Sequence, residues 1–543
     1  MKKRIAWFLA LIMSLGLLAG CGSGDTSQSQ APGSNSSAPQ KTVLNVAQIN
    51  DIATLGPYDA ANMGSFNVLP MVYQGLFERD GFASDTLLPM IGKEYTVSDD
   101  GLTVTVEMFD YVKDSAGNDI DADDVLFCYD YMKGTGRYES VLKYVEAINK
   151  LGQYTVEFKL TGNEVGYYAN LLACKIVDSG FDEITIETQP VGTGPYIVTD
   201  FSPSSSMTLE KNPNWWQTDE AYIHPENAAN PDVIKLKMIT ESAQVPIALE
   251  SGDVDLTTGI TFANAKSFFM NDDGSAIKGY NVFSWDSQLI RNIMFNMSGQ
   301  SVLSDNLALR QAICYAINNE ELVQGVLQGG GTTLHAYGTS VYGDYNEKWD
   351  SEDYYDYNVE KAKEKLAEAG YQPGEVSIRI VSQTNDNFKK ASEMIQQYLN
   401  TVGINVEIIQ YDAALYTTYR GDFAEWDILL DNQANSAAMV SIWANFLSTK
   451  YTQYNGEGVN CLGSKDPELE RLVTTANTPE GHTAENVDAA HYYIKDNALV
   501  YGLWAEKSYT VAQEGVCDIY LNSKLYLQPS GTVLADGYQT RSK

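Results

Sequence analysis

An α/β protein is what this sequence predicts, and three observations carry the expectation. A strand–helix–strand unit runs from Ile378 to Ile408. Along the rest of the chain, period-two apolar alternation takes turns with apolar stripes at helical spacing. No fixed-period repeat is present, which leaves no basis for a solenoid.

In chain order, the first element is not part of the body. Lys2, Lys3 and Arg4 precede an uncharged apolar run from Ile5 to Ala19, the pattern of a secretory signal and too short for a comfortable membrane span. The run ends in Leu18-Ala19-Gly20-Cys21, which resembles the lipobox of bacterial lipoproteins, where the cysteine thiol receives a diacylglycerol and becomes the new N-terminus. Residues 1–20 are therefore expected to be a signal peptide and Cys21 the lipid site. Two acyl chains anchor stably where one binds only marginally. The following GSGDTSQSQAPGSNSSAPQK, with Asp25 and Lys41 as its only charges, cannot build a core and reads as a flexible linker over 21–41.

The body opens with strand signals at Leu44 and Val46, then at Val104, Val106 and Met108. A helix follows Asp121, with Val125, Cys128 and Met132 on one face and Asp121 and Asp124 at its positive end. Val233 to Met238 reads as a strand. Ser242 is placed to cap a helix bearing Val245, Ala248 and Leu249 that Gly252 stops, with Val254 and Leu256 beyond. One helix is expected from Asn306 to Leu327, with Leu309, Ala312, Ile313, Ala316 and Ile317 on its stripe. Another is capped by Asn358 and ends at Gly370, aligning Val359, Ala362, Leu366 and Ala369. Then comes the parallel unit: Ile378 and Ile380, a helix with Phe388, Ala391, Met394, Ile395, Tyr398 and Leu399, Gly403, and the strand Ile404, Val406, Ile408.

Composition narrows the function. With 543 residues, 44% of them hydrophobic, the chain can bury cores for several domain-sized units. Its 36 basic against 71 acidic residues give a net charge of −35, and loss of the three basic signal residues would take this to −38. Such a surface repels phosphates and anionic lipids, so nucleic acid is excluded as a partner, while cationic or neutral solutes stay open. Of six cysteines, five remain once Cys21 is acylated; no CxxC pair suggests zinc, one or two disulfides have room to form, and Cys128 and Cys314 read as buried thiols. There is no GxSxG, HExxH, GxxxxGK or GxGxxG, and the four histidines make no i, i+4 pair. Asp119, Asp121 and Asp123 imitate the start of a calcium loop, but Asp124 stands where that loop needs Gly, so the run reads as a helix cap. No metal or cofactor is expected. A carboxylate pair of the glycosidase kind has no local motif, so a secreted hydrolase stands as the rival class.

Several stretches in order resemble one family. These are LGPYDAANMGSFNVLPMVYQGLFERD, VGTGPYIVTDFSPSSSMTLEKNPNWW from Val191 to Trp216, ALESGDVDL from Ala248 to Leu256, MFNMSGQSVLSDNLALRQAICYAINNEELVQGVLQGGG, and YNVEKAKEKLAEAGY. Together they are similar to the extracytoplasmic solute-binding proteins of ABC transporters, family 5, across roughly Leu44 to Ala535. The resemblance implies an enlarged two-lobed periplasmic-binding-protein-like fold of class II with a hinged cleft. Its expected parts are a discontinuous lobe I domain (42–77, 192–294, 500–543), an extra domain of lobe I (78–191) and lobe II (295–499). Read on their own, Gly192 and Gly194 suggest positive φ before Pro195, Trp215 and Trp216 suggest lobe packing, and Arg310 suggests a structural pairing with a nearby acid.

The resemblance also implies a receptor without catalysis, holding peptide between its lobes and delivering it to permease subunits, with an oligosaccharide or chelated metal as the alternative ligand. In peptide-binding relatives an Asp commonly pairs with the ligand ammonium. The comparable segment here is RGDFAEWDILLDNQANSAAMVSIWANF, from Arg420 to Phe446, where Ser436 falls at that position beside Asn435. Asp431 could serve instead, with Asn432 and Gln433 beside it, and Arg420 could meet a ligand carboxylate. From the early turn, Asn62, Ser65 and Phe66 are expected at the cleft. The protein is expected to be a monomer, held by its lipid on the outer face of a Gram-positive membrane, or in the periplasm of a Gram-negative cell.

Overall fold

In the computed structural model, two long antiparallel strands, Tyr280–Phe295 and Val500–Gln513, form the middle of an eleven-stranded sheet. The described residues are 41–538 except 53, 59–62, 83, 136–137, 182–185, 187, 435–437 and 450–459. Cys21 and the rest of the expected signal and linker up to residue 40 lie outside them.

Outward from Tyr280–Phe295 the sheet continues through Ile428–Gln433, Val376–Gln383 and Ile404–Tyr411. Outward from Val500–Gln513 it continues through Leu256–Thr257, Val43–Gln48, Val233–Met238, Ser206–Lys211 and Tyr196–Ser202. The sheet is mixed. Val376–Gln383 runs parallel to Ile404–Tyr411, and Val43–Gln48 runs parallel to Val233–Met238. Parallel neighbours require a crossover, and the helix Asp386–Val402 supplies the one expected between Ile378 and Ile408. Asn385 caps it by accepting from the Phe388 amide, and Gly403 ends it at φ +93°. Phe388, Ile395, Leu399 and Val402 are buried, each worth about 2 kcal/mol relative to exposure.

The two long strands serve two sets of cores. Tyr509 and Val511 pack with Ala47, Val245 and Leu249, and Ala512 packs with Leu44 and Val46. Ile293, Phe295, Leu503 and Trp504 pack instead with Ile313, Ile378 and Ile395. These cores make two lobes joined through the strand pair. Between the two sets the pairing breaks, first from Asp286 to Ile290 and again from Arg291 to Asn292. A separate four-stranded sheet, Gly92–Val97, Thr103–Met108, Thr155–Leu160 and Val145–Gly152, packs with the helix Ala122–Gly134, which Asp121 and Asp124 close with a reciprocal capping box.

Several local expectations are corrected. The stretch Asn306 to Leu327 is two helices, Leu307–Ala316 and Asn319–Leu327, because Ile317 is extended and the Asn318 side chain accepts from the Glu321 amide to start a new helix. Ser242 caps nothing: the helix Gln244–Ser251 follows Ala243 without a side-chain cap. Gly192 and Gly194 are not among the glycines with positive φ. Their need is space, since a Cβ would overlap the Val72 carbonyl in one case and the Met71 carbonyl in the other. Among the described residues Arg310 pairs with no acid; it donates to the carbonyls of Leu303 (2.6 Å), Ser304, Asn497 and Ala498, tying a helix to the chain entering Val500–Gln513. The five described cysteines are all free, with Cys128 and Cys314 buried as expected and only Cys517 exposed.

Candidate ligand cleft

Where the long strands pass between the lobes, a cavity of about 740 Å³ opens. Thr258 to Ala263 and the turn Lys524 to Leu527 wall it from one lobe. Val326 to Gln328 and Asn387 wall it from the other, and Trp285, Ser287 to Leu289 and Glu506 to Tyr509 come from the joining strands. The volume falls in the range of small-ligand sites, and its walls mix apolar surface with the amides of Asn50, Asn67, Gln288, Gln328 and Asn387. A second cavity, about 420 Å³, adjoins it within one lobe and shares Lys524 and Tyr526 with it.

The lobes also touch away from the cavity. Phe82 meets Tyr342 edge-on at 5.3 Å, the Val165 amide donates to the Asn477 carbonyl at 3.1 Å, and the Asn477 side chain donates to Glu164 at 3.5 Å. Phe82 and Val165 thereby pack on the core of the opposite lobe. A ligand between the lobes in this arrangement is enclosed from several sides.

Charge inside the larger cavity is mostly neutralised. Arg291 pairs with Glu506 at 2.9 Å, and Asp286 pairs with Lys507 at 3.1 Å. In the smaller cavity, Glu226 accepts from the Tyr520 hydroxyl at 2.9 Å; burial and the nearby Glu78 carboxylate push its carboxyl up to about 8. Glu78 itself accepts from Ser523 and faces Lys175 at 3.7 Å.

Residues 86–455 match the family model described as bacterial extracellular solute-binding proteins, family 5, middle. The chain belongs to that family. It is a binding protein of ABC transport that acts outside the cytoplasm, and not an enzyme. It is similar to the glutathione-binding protein of Pectobacterium atrosepticum, 27% identical over 379 residues, covering 68% of this chain and 69% of the relative. Among solved structures, it shares its fold with a putative peptide binding protein from Clostridium difficile (TM-score 0.74, 18% identity, 91% of this chain and 100% of the other). It shares it also with a dipeptide binding protein from Pseudoalteromonas sp. SM9913 in complex with Met-Leu (TM-score 0.69, 20% identity, 91% and 100%).

The residues expected to meet ligand in this family 5 protein are distributed unevenly. Asn62, Asn435 and Ser436 lie outside the described residues. Arg420 and Asp431, expected to meet opposite ligand charges, are buried and ion-paired with each other at 2.9 Å. Asp431 also accepts from the Asn432 amide and from Gln433 Nε2, both at 2.9 Å, while the Arg420 guanidinium lies over the Phe446 ring. Gln433 is buried with them and Asn432 is half-buried; among the described residues of this segment only Ala434, just past the strand, lines the larger cavity. Ser65 is fully buried and donates to the Thr54 carbonyl. Phe66 does face a cavity, the smaller one, stacked on Tyr526 at 5.9 Å; its neighbour Asn67 lines the larger. Sequence reading missed the turn after Leu521 and the strand residues Trp285 and Glu506. The turn carries a usable signal, Asn522-Ser523 between two apolar strands, whereas the strand positions look like ordinary half-buried alternation.

Proposed function

We propose that this family 5 protein is a lipid-anchored peptide receptor: Cys21 carries the lipid, the interlobe cavity holds the peptide, and a cognate permease receives it. The observation carrying this reading is the 740 Å³ cavity at the joining strands, lined by neutral amide side chains from both lobes. Such donors and acceptors satisfy a peptide main chain without selecting a side chain, as in strand addition. The relatives named for peptide and glutathione support the same ligand class.

The break in pairing between Asp286 and Ile290 supports a hinge inside the strands, so that lobe I (42–77, 192–286 and 507–543) and lobe II (290–505) move as bodies about residues 286–290. The expected boundaries at 294 and 500 shift because Ile290, Ile293, Leu503 and Trp504 pack with the lobe II cores. The extra domain, 78–191, travels with lobe I. The receptor works as a monomer, because one chain supplies both walls of the site.

The test is incubation of the purified protein with a mixed peptide pool, followed by mass analysis of what co-elutes and what remains in solution. Intact retained peptides are expected. Shortened peptides in solution would establish a hydrolase, and retention of only an oligosaccharide or a metal chelate would overturn the peptide assignment.

A further inference from the structure

We infer that Lys524 anchors a carboxylate of the bound ligand, an assignment that rests on the peptide reading and adds an acidic end to it. Among the described residues, three charged side chains line the larger cavity: Glu506, Lys507 and Lys524. Glu506 accepts from Arg291 at 2.9 and 3.1 Å and Lys507 pairs with Asp286, whereas Lys524 is exposed and has no ion-pair partner among the described residues. It also lines the smaller cavity, so the residue borders both spaces.

The backbone beneath it is fixed. Asn522 closes the turn: its amide donates to the Tyr526 carbonyl at 2.9 Å, and its side chain accepts from the Lys524 and Tyr526 amides, both at 3.0 Å. Trp285 Nε1 donates to the Leu525 carbonyl at 3.2 Å and Gln288 Nε2 to the Lys524 carbonyl at 3.3 Å, which fastens the turn to the joining strand. Ser523 fastens it to Glu78 at 2.7 Å. A pinned turn spares the backbone part of the ordering cost when a carboxylate arrives, leaving the lysine side chain to be immobilised. The chain's net charge of −35 opposes an anion at long range, but at 0.1 M salt that field decays over about 10 Å, so the local cation decides inside the cleft.

The carboxylate can be the peptide C-terminus or an acidic side chain, and three synthetic tripeptide libraries separate them: free acids lacking Asp and Glu, the same sequences as C-terminal amides, and amides each carrying one Glu. Binding is read by retention on the full chain and by calorimetry of retained peptides. The wild type is expected to prefer the first or third library over the second by about tenfold or more. Lys524→Met should abolish that preference and Lys524→Arg should keep it; both should fold, since the side chain is exposed. Equal retention of all three libraries by the wild type, or an unchanged preference in Lys524→Met, overturns the inference while leaving the peptide receptor intact. Retention of none overturns the peptide reading and this inference with it.

Discussion

Replacing Asp431 by Asn separates a structural charge from a ligand-binding one. The carboxylate is 2% exposed and its partner Arg420 is 9% exposed, with 2.9 Å between them. Neither residue lines the cavities at the cleft. Asp431→Asn keeps the volume but leaves a guanidinium in the interior without its anion. It also offers Gln433 Nε2, now 2.9 Å from a carboxylate oxygen, an amide in its place. Removing one member of a buried pair costs about 3–5 kcal/mol, most of it the isolated charge that remains. The pair itself is worth less, since both ions were desolvated to form it. The double variant Arg420→Met/Asp431→Leu should therefore recover at least about 2 kcal/mol of the loss, a coupling typical of contacting residues. Urea unfolding at pH 7 measures these differences, and calorimetry under folding conditions should show peptide affinity of Asp431→Asn within about twofold of wild type. Unchanged stability with lost peptide affinity would refute the structural assignment and restore Asp431 as the ammonium anchor.

Two buried groups should shape the pH profile in opposite directions. Glu226, raised from 4.5 to about 8, keeps its proton in the folded chain, so its contribution is full below pH 4.5 and declines by about 1.4 kcal/mol per unit up to pH 8. His491 is lowered from 6.5 to about 3 by burial and by nearby Lys495, and stacks on Trp349 at 3.9 Å; its contribution is full above pH 6.5 and falls toward pH 3. From about pH 4.5 to 6.5 the two slopes cancel. Glu226→Gln should expose a stability that rises with pH there and His491→Phe one that falls; equal profiles in both variants would contradict the assignment. Phe82→Ala removes the edge contact with Tyr342 and should raise the dissociation rate of a bound peptide about 2- to 10-fold in stopped-flow release, with little change in association; an unaltered release rate would show that this rim contact does not hold the lobes together. Cys21→Ser should release the protein from the membrane fraction into the medium or periplasm, and persistent anchoring would refute the lipid assignment.

The fold was legible where one short segment carries its own start, stripe and stop. The helix Asp386–Val402 has Asn385, a buried face and Gly403, so local and tertiary preferences agree. The stretch Asn306 to Leu327 misled because its apolar stripe continues through Ile317 while Asn318 competes as a cap, a contest that periodicity does not reveal. The need for glycine at 192 and 194 was visible but not its cause, because the Val72 and Met71 carbonyls come from far away in sequence. The cleft was least legible. It draws on Thr258, Trp285, Asn387, Glu506 and Lys524, each ordinary in its own neighbourhood, and only the mixed sheet brings them together. Arg420 and Asp431 show the converse: charges that look available along the chain are consumed by each other in the fold.

The central claim, that this family 5 protein encloses a peptide between its lobes, is tested most directly by a crystal structure of the protein with a peptide recovered from the pool. Electron density for the peptide is expected in the 740 Å³ cavity, touching Thr258 to Ala263 on one side and Asn387 on the other, with a carboxylate at Lys524. A peptide bound outside the cavity, or a cavity filled by a different class of solute while peptide is absent, would contradict it.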